Sequence, residues 1–110
     1  MDAMKWYKKL YLGDNAKDSK YMTIGKVRTS KFQFDTYLIT LSNNPNKLMD
    51  IYLANFLLQP HFRKAHILDD IYVIGIAKGR DESFQVIEKI ISEVYSNTGE
   101  FKLRVYYNFG

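Results

Sequence analysis

The sequence predicts an α+β fold. The expected form is a two-layer sandwich with a ferredoxin-like βαββαβ order over residues 32–107 and an N-terminal β extension over residues 1–31. Three observations carry this. The chain has 110 residues, 46% hydrophobic and 25% charged, which is ordinary composition for one globular domain spanning 1–110. Two segments with helix signals alternate with runs of β-branched and aromatic residues. No repeat, low-complexity tract or linker divides the chain.

Trp6–Leu12 reads as a strand, and Tyr21–Arg28 as a second that pairs with Phe32–Leu41 across Thr29-Ser30-Lys31. Asn44 is a good N-cap, and Pro45 then falls at the first helical position, where its missing N–H has no helical partner to lose. Leu48, Met49, Ile51, Tyr52, Leu53, Phe56, Leu57 and Leu58 follow, and Gln59-Pro60 ends this first helix. Its apolar residues nearly circle the axis, which implies burial on more than one side.

Ala65–Leu68 reads as a short strand, joined to Ile71–Ala77 by Asp69-Asp70 as a two-residue hairpin. A second helix runs from Asp81 to Thr98. Phe84, Ile87, Ile91 and Val94 recur at helical spacing, Val86, Ile90 and Tyr95 widen the stripe, and Gly99 suits the left-handed position after the last turn. Phe101, Leu103, Val105 and Tyr107 alternate with Lys102, Arg104 and Tyr106, the pattern of a half-buried strand. Without Ala65–Leu68 the order becomes βαβαβ, a small parallel sheet. Either order sets Phe32–Leu41 beside Ile71–Ala77, parallel, at the centre.

Ile71–Ala77 is apolar throughout, so both faces of its sheet need cover. In a two-layer fold the helices cover one. The other falls to Trp6, Tyr7, Tyr11 and Tyr21 or to a second copy, since each such side chain buried contributes roughly 1.5–3 kcal/mol. A homodimer is therefore expected, with a different protein as the other partner to consider.

The net charge is +4, unevenly spread. Residues 1–31 hold eight Lys or Arg against Asp2, Asp14 and Asp18, while residues 67–110 are mildly acidic. The absence of cysteine excludes disulfides, thiolate zinc sites and thiol nucleophiles. The start lacks the apolar core of a signal peptide, and Phe32–Leu41 and Ile71–Ala77 are too short to cross a bilayer, so a cytoplasmic chain without a membrane partner is expected. Abundant Lys, Asn, Ile, Tyr and Phe, all with AT-rich codons, suggest a low-GC bacterial genome.

Three groups of residues carry chemistry worth weighing. The first is an anion site where Ser42, Asn43 and Asn44 would meet Lys78, Gly79 and Arg80. Two helix N-termini would converge there, with two cations and a glycine for close backbone approach. The competing reading makes Asn44 and Asp81 caps, and Asp81 would occupy the N–H groups an anion needs. The second is the basic aromatic arm with Lys5, Trp6, Lys8 and Lys9, where rings stack on unpaired bases while lysines neutralise phosphates. Against it, Trp6 and Tyr11 serve equally as core, with the lysines guarding a strand edge.

The third group is His61, His66, Asp69 and Asp70, whose spacing fits no metal motif. Glu82, Glu88 and Glu93 read as a solvated helix face. No cofactor fingerprint or catalytic motif is present, so the sequence weighs against an enzyme. The expectation is a bacterial, non-enzymatic binding or regulatory module that self-associates. The alternatives are a single-stranded nucleic-acid adaptor and a binder of a small anionic metabolite or nucleotide.

Overall fold

The computed structural model describes residues 4–17, 20–21, 24–25, 35–42, 47–55 and 71–107. Four strands form one mixed sheet: β1 (Lys5–Leu12), β2 (Thr36–Leu41), β3 (Met49–Leu53) and β4 (Tyr72–Lys78), in the order β1-β4-β2-β3. The main helix, α1 (Arg80–Thr98), follows β4, and a short helix, α2 (Leu103–Tyr107), follows α1.

This is an α+β fold, but the ferredoxin-like order is not the one formed across the described residues. Four expectations are corrected. Met49–Leu53 is a strand, not part of a helix, and pairs antiparallel with β2 from Tyr37↔Leu53 to Leu41↔Met49. The apolar residues of this segment favour no single helical face, and Asn and Pro ahead of it are turn formers as well as caps. The open edge of β2 then decides, because pairing with it satisfies both backbones.

The second correction concerns Leu103–Tyr107, which is helical. Leu103 and Tyr107 are both buried while Val105 between them is 74% exposed. Alternation at Leu103, Val105 and Tyr107 contains an i, i+4 pair, and only that pair has a core to meet. The third concerns Tyr21–Arg28, whose described residues 21, 24 and 25 are helical rather than extended. Ala65–Leu68 lies outside the described residues.

The largest correction is one of direction. β2 and β4 are neighbours, as expected, but antiparallel, with Thr36 opposite Lys78 and Thr40 opposite Val73. The parallel partner of β4 is β1, with Lys5 opposite Tyr72 and Leu12 opposite Ile76. The βαβαβ alternative, which needs the same parallel centre, falls with it.

A β-bulge explains how β4 serves two cores. Ile39 pairs with Gly75 and Thr40 with Val73, so Ile74 is the extra residue and the alternation of faces shifts there. Ile71, Val73 and Ile76 enter one buried cluster with Leu38, and Ile74 and Ala77 enter the other with Ile39 and Leu41. The second cluster is closed by Val86, Ile90 and Val94 of α1 and by Leu103 and Tyr107 of α2. The buried stripe of α1 is thus rotated from the expected one, leaving Phe84 and Tyr95 exposed. The helix ends as the sequence predicts: Gly99 has φ 70° and its N–H donates to the Tyr95 carbonyl at 2.7 Å.

The face opposite α1 is covered by the chain itself. Met4 and Ala16 are buried in its cluster, with Trp6, Leu10, Leu12 and Ile24 packed against it. Of the rings expected to cover that face, Trp6 does so, whereas Tyr7 and Tyr11 pack against the α1 cluster and Tyr21 is exposed.

Candidate functional site

The anion rim expected from the sequence does not assemble. Ser42 follows β2 and is buried, its N–H donating to the Leu48 carbonyl at 3.4 Å. Lys78 ends β4 at the other end of the same antiparallel pair, donating from Nζ to Thr36 Oγ1 at 2.6 Å. Six residues of strand, roughly 20 Å, separate the two ends. Asn43 and Asn44 lie outside the described residues. Gly79 donates its N–H to the Asp35 carbonyl at 2.8 Å, and the exposed Arg80 guanidinium lies 5.7 Å from the Phe84 ring centroid.

The rim that does form is built by β1 and β4, whose parallel exits bring residues 13–17 against the start of α1. Glu82, in the first turn of α1, is only 7% exposed. Its Oε1 accepts the Asn15 N–H at 2.7 Å and its Oε2 accepts the Lys78 N–H at 2.5 Å. A carboxylate at a helix N-terminus is where a bound anion would sit. Here the chain supplies its own. Gly13 is needed beside it, because a Cβ there would overlap the Glu82 carboxyl.

Glu82 is thus removed from the solvated face on which Glu88 and Glu93 remain. Sequence reasoning missed its role because Asn15 lies 67 residues away and reaches Glu82 only through the parallel β1–β4 pairing, which no local pattern records. The adjoining cleft, lined by Leu12, Gly13, Asp14, Gln85, Val86 and Lys89, holds about 190 Å³, less than the ~300 Å³ at which ligand pockets usually begin.

The basic aromatic arm is split by β1. Trp6 packs into one core, while Tyr7 and Tyr11 pack against the other. Between Trp6↔Val73 and Tyr11↔Gly75, β1 carries five steps against two on β4, and Lys8 and Lys9 stand exposed in this irregular stretch. Lys5 is tied to the sheet through its N–H to the Ile71 carbonyl at 2.9 Å.

Tyr7 and Tyr11 stack on each other and meet the Tyr107 ring edge-on at centroid distances of 5.0 and 6.0 Å. The Tyr107 hydroxyl donates to the Tyr11 hydroxyl at 3.0 Å. Burial, followed by that hydroxyl contact and the Glu93 carboxylate, pushes the Tyr11 phenol far up. Tyr107 is pushed up to about 12, chiefly by burial. Rings that stacking on bases would require are therefore engaged with one another and with the core. His61, His66, Asp69 and Asp70 lie outside the described residues.

Among the described residues, part of the α1 face of the sheet is left uncovered. A helix ~10 Å wide covers about two strands spaced ~4.8 Å apart, and α1 lies chiefly over β4, with lesser contact to β2 and β1. At the β3 end of that face, Ile51 and Leu53 are 38% and 44% exposed. Tyr37, Ile51, Tyr52 and Leu53 line an open apolar cleft of about 370 Å³ there. Among the described residues β2 is the one strand paired with β3.

No described helix is long and apolar enough to cross a membrane. Comparison with family models, with curated proteins and with solved structures finds no match to this chain.

Proposed function

We propose that the chain is a small non-enzymatic binding module that works through the outer edge of β3. The observation that carries this is the apolar corner of the sheet at Tyr37, Ile51 and Leu53, which α1 is too narrow to reach. Strand edges recruit extended polypeptide: backbone groups give affinity and the alternate side chains give selectivity. Large side chains kept exposed on such an edge are an aggregation hazard unless they meet a partner.

The anion-binding alternative lacks comparable support, since Glu82 holds the amides at the best candidate position. Fluorescence of anilinonaphthalene sulfonate tests the accessibility that docking needs. The folded chain at low concentration should bind the dye, and Leu53→Lys should remove most of the signal while circular dichroism stays unchanged. A folded chain that leaves the dye dark, or a signal indifferent to both Leu53→Lys and Ile51→Lys, would overturn this reading.

A further inference from the structure

The hydrogen-bond phase of the β2–β3 ladder fixes what the outer edge of β3 offers. The Ser42 N–H donates to the Leu48 carbonyl, so Ser42 and Leu48 form a hydrogen-bonded pair. Such pairs alternate with non-bonded ones along an antiparallel ladder. In the register Thr40↔Asp50 and Leu38↔Tyr52, Asp50 and Tyr52 therefore also turn their backbone groups toward β2. Met49, Ile51 and Leu53 turn theirs outward. Their side chains share the face of Leu41, Ile39 and Tyr37, the paired residues on β2.

We infer that this edge takes the β3 strand of a second copy, antiparallel about a two-fold axis through Ile51. This rests on the reading of β3 as the docking edge and names its occupant. Centred there, the five residues are complementary to themselves. Ile51 lies opposite Ile51, and Met49 opposite Leu53, which makes one face of the new ladder apolar. Asp50 lies opposite Tyr52 on the other face, a carboxylate across from a phenol that can donate to it.

Moving the axis one residue earlier sets Asp50 against Asp50, a repulsive pair. Moving it one residue later shortens the overlap and brings Ala54 and Asn55 into the ladder. Although the whole chain carries +4, residues 47–55 carry only Lys47 and Asp50, so the repulsion between two basic chains is not concentrated at this edge. The product is a continuous eight-stranded sheet. Five residues a side fall short of the ~1,200 Å² of a standard interface, so the dimer is weak and forms at high concentration.

The chain has no cysteine, so single-cysteine variants report the register cleanly. Facing residues of a hydrogen-bonded pair stand about 5.5 Å apart at Cα, within the ~4.4–6.8 Å range a disulfide accepts. Ile51→Cys should give a disulfide-linked dimer under mild oxidation. Met49→Cys alone should link at least tenfold less, because its counterpart lies roughly 13 Å along the strand. Mixing Met49→Cys with Leu53→Cys should restore linkage.

Glu88→Cys, on the exposed side of α1, is the control. Sedimentation up to about millimolar concentration should show reversible dimer, and both Leu53→Lys and the strand-compatible Leu53→Thr should raise the dissociation constant at least tenfold. Linkage at Ile51→Cys no faster than at Glu88→Cys, or a monomer throughout, overturns the second copy as occupant. If dye still binds at Leu53 in that monomer, the docking edge stands with a different partner. If it does not, both readings fail together.

Discussion

Replacing Gly13 by alanine places a methyl group in the volume of the Glu82 carboxyl. The backbone of Gly13 is not in the left-handed region, so the residue is required by space and not by φ. Either the carboxylate or the loop must shift. Overpacking of this kind costs about 1–3 kcal/mol, and losing the amide bonds from Asn15 and Lys78 to a charged acceptor costs about 1.5–3 kcal/mol each.

Glu82→Ala should therefore destabilise the fold by about 3–5 kcal/mol, a large share of the ~5–15 kcal/mol typical of a domain. Gly13→Ala alone should cost about 1–3 kcal/mol. In the Glu82→Ala background the three atoms nearest that methyl are gone, and alanine stiffens the unfolded chain, so it should be neutral or stabilising by about 0.4–1 kcal/mol. The coupling read from the double-mutant cycle is about −2 kcal/mol, where simple additivity gives zero.

Urea unfolding followed by circular dichroism measures all four proteins, with constant m-values as the check that each is two-state. Additive costs, or Glu82→Ala within about 0.5 kcal/mol of the parent, would refute the clamp.

The phenols give a pH prediction. Tyr7, Tyr11, Tyr52 and Tyr107 are all raised above the ordinary value, first by burial. A raised phenol stabilises the fold fully below about pH 10, and that stabilisation is lost as pH climbs through the folded value, for Tyr107 about 12. Ultraviolet titration of the native protein should show a late-ionising group of tyrosines that joins the rest on unfolding; a single native transition near pH 10 would refute it. Tyr107→Phe should cost about 0.5–1.5 kcal/mol through the lost hydroxyl bond to Tyr11, and Tyr107→Ala about 3–5 kcal/mol, which thermal melts resolve. Gly99→Ala should cost about 1–2 kcal/mol from backbone conformation alone, since open space surrounds Gly99.

Much of the local structure was legible in the residues. α1 was, because its periodicity, its acidic first turn and its glycine stop all lie within one stretch of chain. β1, β2 and β4 were legible as strands for the same reason. Met49–Leu53 and Leu103–Tyr107 were not, because each pattern admits either state. The choice was made by the open edge of β2 in one case and by the core under Tyr107 in the other.

The residues determined that β1, β2 and β4 are extended, where the main helix begins and ends, and that β4 must be buried on both faces. Tertiary structure alone decided that β2 runs against β4, and that reversal moved the candidate site. It sent Ser42 and Lys78 to opposite ends and let β1 bring Gly13 to Glu82. Strand direction depends on contacts between residues far apart in the chain, and no property of either strand by itself records which way its neighbour runs.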